Sequence, residues 1–244
     1  MGLTTVPVVE RWAGAEHLEG VGSAYAATRD GIDTMLRDRG LRTTSPDLTT
    51  ESLLRGAHAS AVLEGSASSL DDVRSGVADA VAQGALRVSV ELLGLVPVFG
   101  RAPAQALARL HALAAPASVP ADERGRPRDA AAATRLRASL GVLDADRPAL
   151  MTAALLHAEL VCGAPFATAN GIVARAAERL VLVSSGVDAK SLVVPEAAHL
   201  ALRAAYESNL RAYAEGGRPG VQAWLLYGAE AYAAGAEASP LRDG

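Results

Sequence analysis

Few residues in this 244-residue chain could do chemistry, and their spacing limits what that chemistry is. There is one cysteine, Cys162, and there are five histidines, at positions 17, 58, 111, 157 and 199. A single thiol forms neither an internal disulfide nor a cysteine-cluster metal site. No His-x-x-x-His or comparable ligand spacing occurs. Nothing beside Cys162 in sequence would depress its pKa, so it reads as a small buried hydrophobe. His157 lies inside an apolar helical stretch and reads as a core histidine held by hydrogen bonds. His58 and His111 fall on different predicted helices, and His17 and His199 have no partner visible in the sequence. Glu64 stands out for a different reason. It closes a predicted helix, where the helix dipole disfavours a carboxylate, so it is expected beside a cation.

The stretch from Leu155 to Arg175, LLHAELVCGAPFATANGIVAR, carries a recognisable pattern. It resembles the core of Fic (Fido) proteins, whose signature is His-x-Phe-x-(Asp/Glu)-Gly-Asn-Gly-Arg-x-x-Arg in a loop between two buried helices. Phe166, Asn170, Gly171 and Arg175 match at the right spacing. Pro165 follows the catalytic position, as it often does in that family, and His157 fills a helical histidine slot seven residues before the motif. A second signature lies upstream. Ser60-Ala-Val-Leu-Glu64-Gly65 is similar to the family's inhibitory pattern, (Ser/Thr)-x-x-x-Glu-(Gly/Asn). The resemblance implies that Glu64 pairs with Arg175, the motif's last arginine, and blocks the γ-phosphate position. Tyr206, Leu210 and Trp224 also stand at family-like spacing.

Four motif positions depart. Ala164 stands for the catalytic histidine, Thr168 for the acidic residue, Ala169 for the first glycine and Ile172 for the first arginine. In the family the histidine is the general base on a target hydroxyl and the carboxylate holds Mg²⁺ on the phosphates. The glycine-rich turn at a helix N-terminus forms an anion hole, and the arginines stabilise phosphate charge. Alanine accepts no proton, threonine is a poor Mg²⁺ anchor and isoleucine puts an apolar chain where a cation would lie. Asn170, Gly171 and Arg175 are the anion-binding remnant. The resemblance therefore implies weakened ATP/Mg²⁺ binding, no catalytic residue and no metal ligand. Loss of a general base alone typically costs about 10²–10⁴-fold in rate.

These residues need helices to position them. Hydrophobic residues make up 50% of the chain, mostly Ala, Leu and Val, and aromatics only 4%. Alanine has the highest helix propensity, and no β pattern of useful length appears. Helices are expected over Ala15–Arg39, ended by Gly40, and over Pro46–Leu63 or Glu64, with Gly65 as the left-handed residue after the C-terminus. Ser68 or Ser69 caps a third, with Asp71 and Asp72 in its first turn. Further helices are expected over Leu86–Val96 (buried on most sides), Ala104–Ala114, Ala130–Leu140, Pro148–Cys162, Asn170–Ser185, Pro195–Ala214 and Gly220–Ala236. Pro116–Arg128 reads as an exposed loop, where relatives carry a target-docking flap. Glu178 and Arg179 read as polar-face residues of their helix.

The resulting expectation is an all-α Fic/Fido-type domain over residues 50–237, containing the inhibitory motif at 60–65 and the degenerate motif at 164–175. An N-terminal helical segment, 1–49, precedes it and a flexible tail, 238–244, follows. A net charge of −4 argues against a nucleic-acid binder. No run of about 18 apolar residues supports a membrane span, and no signal peptide is evident at the start, so a cytoplasmic protein is expected. The first functional reading is a binding or regulatory module without AMP-transferase activity, with a nucleotide and a protein as candidate partners. The alternatives are a divergent AMP transferase using a non-standard base, and a structural homo-oligomer in which Glu64 and Arg175 simply join two helices.

Overall fold

The computed structural model describes residues 12–38, 46–144 and 146–243, and among these it holds helices and no strand. After a 3-10 turn at Ala15–His17 come α1 (Val21–Asp38), α2 (Pro46–Leu63), α3 (Leu70–Ser75), α4 (Ala80–Leu92), α5 (Val96–Phe99) and α6 (Pro103–Ala114). There follow α7 (Ala130–Leu140), α8 (Ala149–Gly163), α9 (Asn170–Ser184), α10 (Pro195–Ala201), α11 (Arg203–Glu215) and α12 (Gly217–Glu237).

The centre is the pair α8 and α9, which pack on each other more extensively than any other two elements. Every residue from Leu150 to Leu160 and from Gly171 to Leu182 is buried. A helix apolar nearly all round must be enclosed by other helices, and neighbours surround this pair. Helices α2, α4 and α6 cover α9, while α7, α11 and α12 cover α8. Trp224 of α12 is fully buried and donates its indole N–H to the Ala154 carbonyl at 2.8 Å. Charged residues of the pair are enclosed too, so each must find its partner inside the protein.

Local chemistry sets the boundaries. Ser69 caps α3 in a capping box with Asp72. Gly65, at φ 91°, ends α2 in the left-handed region, and the Gly65 and Ser66 N–H groups donate back to Val62 and Ala61. Other boundaries differ from expectation. The first helix begins at Val21, because Gly20 adopts φ 75° and separates it from the Ala15–His17 turn. Gly40 lies outside the described residues. Asp79 starts α4 at Ala80 by accepting from the Val81 and Ala82 N–H groups, six residues before the expected start. The expected helix over 195–214 breaks at Leu202 into α10 and α11.

The run expected at Leu86–Val96 is not buried on most sides. Val88, Leu92 and Leu95 enter the core, whereas Val90 is 76% exposed. With α5 it gives one run, Ala80–Phe99, that by length and composition alone is apolar enough to cross a membrane. Here it packs on α2 and α6, and Arg87 and Glu91 bond to Leu113 and Arg109 of α6 and its end. The described parts of both terminal segments pack on the body. Helix α1 packs on α12 and puts Tyr25, Ile32 and Met35 in the core. In place of a flexible tail, Pro240–Asp243 form a 3-10 turn with Pro240 and Leu241 buried, and Asp243 pairs with Arg55 of α2.

Candidate functional site

The motif loop, residues 164–169, joins α8 to α9. Ala164 and Ala169 bound it with φ 38° and 54°, a left-handed conformation that disfavours a Cβ by about 1–2 kcal/mol. Asn170 offsets this by closing the loop. Its Oδ1 accepts the Phe166 N–H and its Nδ2 donates to the Phe166 carbonyl, both at 2.9 Å. Phe166 is buried and stacks on His111 of α6, with ring centroids 4.4 Å apart and planes 7° off parallel. The exposed loop 116–128 reaches the same place. The Gly125 N–H donates to His111 Nδ1 at 2.8 Å, and the Arg128 N–H donates to the Pro165 carbonyl at 2.9 Å. His111 Nε2 therefore carries the ring proton and faces Thr168 Oγ1 at 3.5 Å.

Arg175, one turn into α9, is 1% exposed and spends its donors inside the protein. Nε donates to Ser60 Oγ at 2.8 Å and Nη1 to the Tyr206 hydroxyl at 3.2 Å. Nη2 donates to the Ser60 carbonyl at 3.1 Å and to Glu64 Oε1 at 2.8 Å. The carboxylate of Glu64 lies against Gly171, so closely that a Cβ there would collide with it. It thus fills the first turn of α9, where the helix dipole favours an anion. Burial works against the Arg175 charge, but Tyr206 and Glu64 outweigh it and hold the guanidinium above its usual pKa. Ile172, expected from the resemblance to stand at the family's first arginine, is 3% exposed and belongs to the core.

Sequence reasoning placed Glu178 and Arg179 on a solvated face, and the structure corrects this. Both are 1% exposed. Arg179 Nη2 binds Glu196 of α10 at 2.8 Å, and Nη1 donates to Ser52 Oγ and Ser191 Oγ at 3.0 and 2.8 Å. Ser52, Gly56 and Ser60 are one turn apart on α2, as Arg175 and Arg179 are on α9, so the two helices meet antiparallel along this seam. A Cβ on Gly56 would stand 2.7 Å from Arg179 Nη2.

His157 is the core histidine expected, and His199, which had no visible partner, joins it through Glu178. His157 Nδ1 and His199 Nε2 lie 2.9 and 3.1 Å from Glu178 Oε2. The Tyr232 hydroxyl donates to Oε1 at 2.7 Å. The Tyr206 and Tyr227 hydroxyls reach the outer ring nitrogens, His157 Nε2 at 2.9 Å and His199 Nδ1 at 2.7 Å. One proton on each imidazole satisfies the whole chain, with the tyrosines donating and the carboxylate accepting. Burial first, outweighing Glu178, pushes the His157 pKa below its usual value. Burial would raise Glu178, but the two imidazoles reverse it and hold the carboxyl well below the usual range. Burial also pushes Tyr206 up to about 12. The facing atoms of His157, Glu178 and His199 lie within 4.8 Å of one another, a residue set that suits a divalent metal. Their spacing is that of a carboxylate hydrogen-bonded between two rings. Only the fold reveals this cluster, because its members lie 21 residues apart on three helices.

Cys162, half-buried at the end of α8, sits 3.8 Å from the Leu210 carbonyl. Cavities of about 730 and 540 Å³ lie away from the motif, between α1 and α12 and between α1 and the start of α8.

No protein-family model matches the chain, and no curated protein matches it either. Solved structures do. A Fic family protein from Desulfovibrio desulfuricans G20 superposes with a TM-score of 0.71 at 17% identity, covering 88% of this chain and 73% of its own. Fic-1 (residues 134–508) from C. elegans gives 0.72 at 16% identity, covering 95% and 75%. The chain therefore has the all-helical fold of Fic family proteins.

Proposed function

We propose that this Fic-fold chain is a binding or regulatory module that does not transfer AMP. The observation that carries the reading is that the anion-binding remnant is already engaged. Arg175 donates to Ser60, Tyr206 and Glu64, Asn170 spends its amide on Phe166, and the Glu64 carboxylate fills the space over Gly171. Around that remnant the chemistry is missing. Ala164 offers no base, and the Thr168 hydroxyl has no charge to hold Mg²⁺ and faces His111. A divergent transferase would need another base. His111 is the imidazole beside the motif loop, yet its Nδ1 lone pair is taken by Gly125 and the ring is fully buried, so it is no candidate.

Thermal shift with ATP, with and without Mg²⁺, tests the binding half, because a specific ligand raises stability by mass action. The wild-type protein is expected to show no Mg²⁺-dependent stabilisation. A shift of several degrees that requires Mg²⁺ would favour the divergent transferase.

A further inference from the structure

The contacts of His111 with two separate loops have a consequence beyond the remnant site. The ring is fully buried on α6, is stacked on Phe166 of the motif loop, and accepts the Gly125 N–H of loop 116–128 through Nδ1. Gly125 is the point of closest approach. Its φ is 80°, and a Cβ would lie 2.7 Å from the Ala108 carbonyl, so the loop presses its bare backbone onto α6. Within the loop the Arg124 guanidinium donates to the Val119 and Ala117 carbonyls, and the Val119 side chain is buried. Besides the Gly125 contact, the Arg128 N–H bond to Pro165 ties the loop's far end.

We propose that His111 is a latch: neutral, it holds loop 116–128 shut on the motif loop, and protonation releases the loop. The reason is the inventory of the ring. A neutral imidazole has one lone pair, here used by Gly125, whereas a protonated one has only N–H donors. Protonation turns the Gly125 contact from an attraction into two donors facing each other. The groups around the ring offer no anion to favour the charge. It meets the Gly125 N–H, the Thr168 hydroxyl and the Phe166 face. Charged side chains of the neighbouring elements are engaged elsewhere or in solvent. Arg109 binds Glu91, Arg87 the Leu113 carbonyl and Arg175 Glu64. Asp129 caps α7, and Asp122, Glu123, Arg126 and Arg128 are exposed. Burial accordingly lowers the His111 pKa. The sign follows from that direction. The closed loop is favoured in full above the ordinary histidine pKa of about 6.5 and loses favour as pH falls below it. Release would uncover His111, Phe166 and the Thr168 hydroxyl together, whether or not the chain binds a nucleotide.

Amide exchange at Gly125 tests the latch, measured by NMR between pH 8 and 4.5 with intrinsic rates corrected and the His111 ring nitrogens followed in parallel. The expected result is a ring protonated at Nε2 at neutral pH, with Gly125 protection constant there. Protection then falls by up to about ten-fold per pH unit below about pH 6.5, beginning at a higher pH than the titration of the buried ring itself and ending with it. His111→Phe keeps a ring for Phe166 and removes the acceptor, so Gly125 should exchange fast at every pH while amides of α8 and α9 stay protected. A ring protonated at Nδ1, or Gly125 protection that ignores His111 titration in the wild-type protein, overturns the proposal even if the variant fails to fold.

Discussion

Arg175 is 1% exposed on its side chain, whereas the side chain of its partner Glu64 keeps 30%, so the two halves of this ion pair are unequal. Replacing Arg175 by Met leaves the Ser60 carbonyl and the Tyr206 hydroxyl without a donor and Glu64 without a cation, at a cost of about 3–5 kcal/mol. Glu64→Gln can still accept from Nη2 and keeps contact with water, but it takes the anion from a buried guanidinium, so it should cost about 1.5–3 kcal/mol. Chemical denaturation of both single variants and the double variant should show this asymmetry, with the double variant less destabilised than the two singles added. Equal and strictly additive effects would mean that the contact does not join α2 to α9. The pair was legible in the sequence because each partner sits in a short pattern of fixed spacing, and Glu64 ends a helix that disfavours its charge. Glu178 and Arg179 were not legible. Their types are those of a solvated face, and only the enclosure of α9 on every side turns them inward, toward partners on α2, α8 and α10.

Asp79 shows how one side chain can set the geometry of an element. It caps α4, accepts the Ser66 hydroxyl at 2.6 Å and the Ala67 N–H at 3.2 Å, and so ties the chain just after Glu64 and Gly65 to the start of the next long helix. The Ser66 hydroxyl and the Ala82 N–H lower its pKa to about 2. A folded pKa below the unfolded one gives stability that is present in full above about pH 4 and withdrawn as pH falls toward 2. Asp79→Ala should lower stability by about 1 kcal/mol at pH 7 and flatten the acid limb of the stability profile. An unchanged acid limb would show that the cap does not stabilise α4. Such caps explain which boundaries could be read. Ser69 with Asp72 and the glycine at 65 announce themselves locally. The start of α4 did not, because Asp79 precedes alanines whose small side chains carry no clear periodicity. The break at Leu202 has no glycine or proline to mark it.

At the scale of the whole molecule, the sequence carried the fold because α8 and α9 are apolar nearly all round and must lie at the centre of a helical body. How the terminal segments pack was not legible, for the opposite reason. Helix α1 and the Pro240–Asp243 turn each bury only one side, against α12 and α2, and a sequence does not announce such partners. The proposed function rests on what this scaffold holds at the loop 164–169 and on the arginines that clasp α2 to α9 beside it. The most direct test is incubation of the purified protein and of its Glu64→Gly variant with ATP labelled at the α-phosphate, alone and with a cell lysate. No transfer of label to the protein itself or to any lysate protein is predicted, because removing Glu64 frees Arg175 but restores neither a base at Ala164 nor a carboxylate at Thr168. Robust labelling by either protein would contradict the account and establish a transferase with a different base.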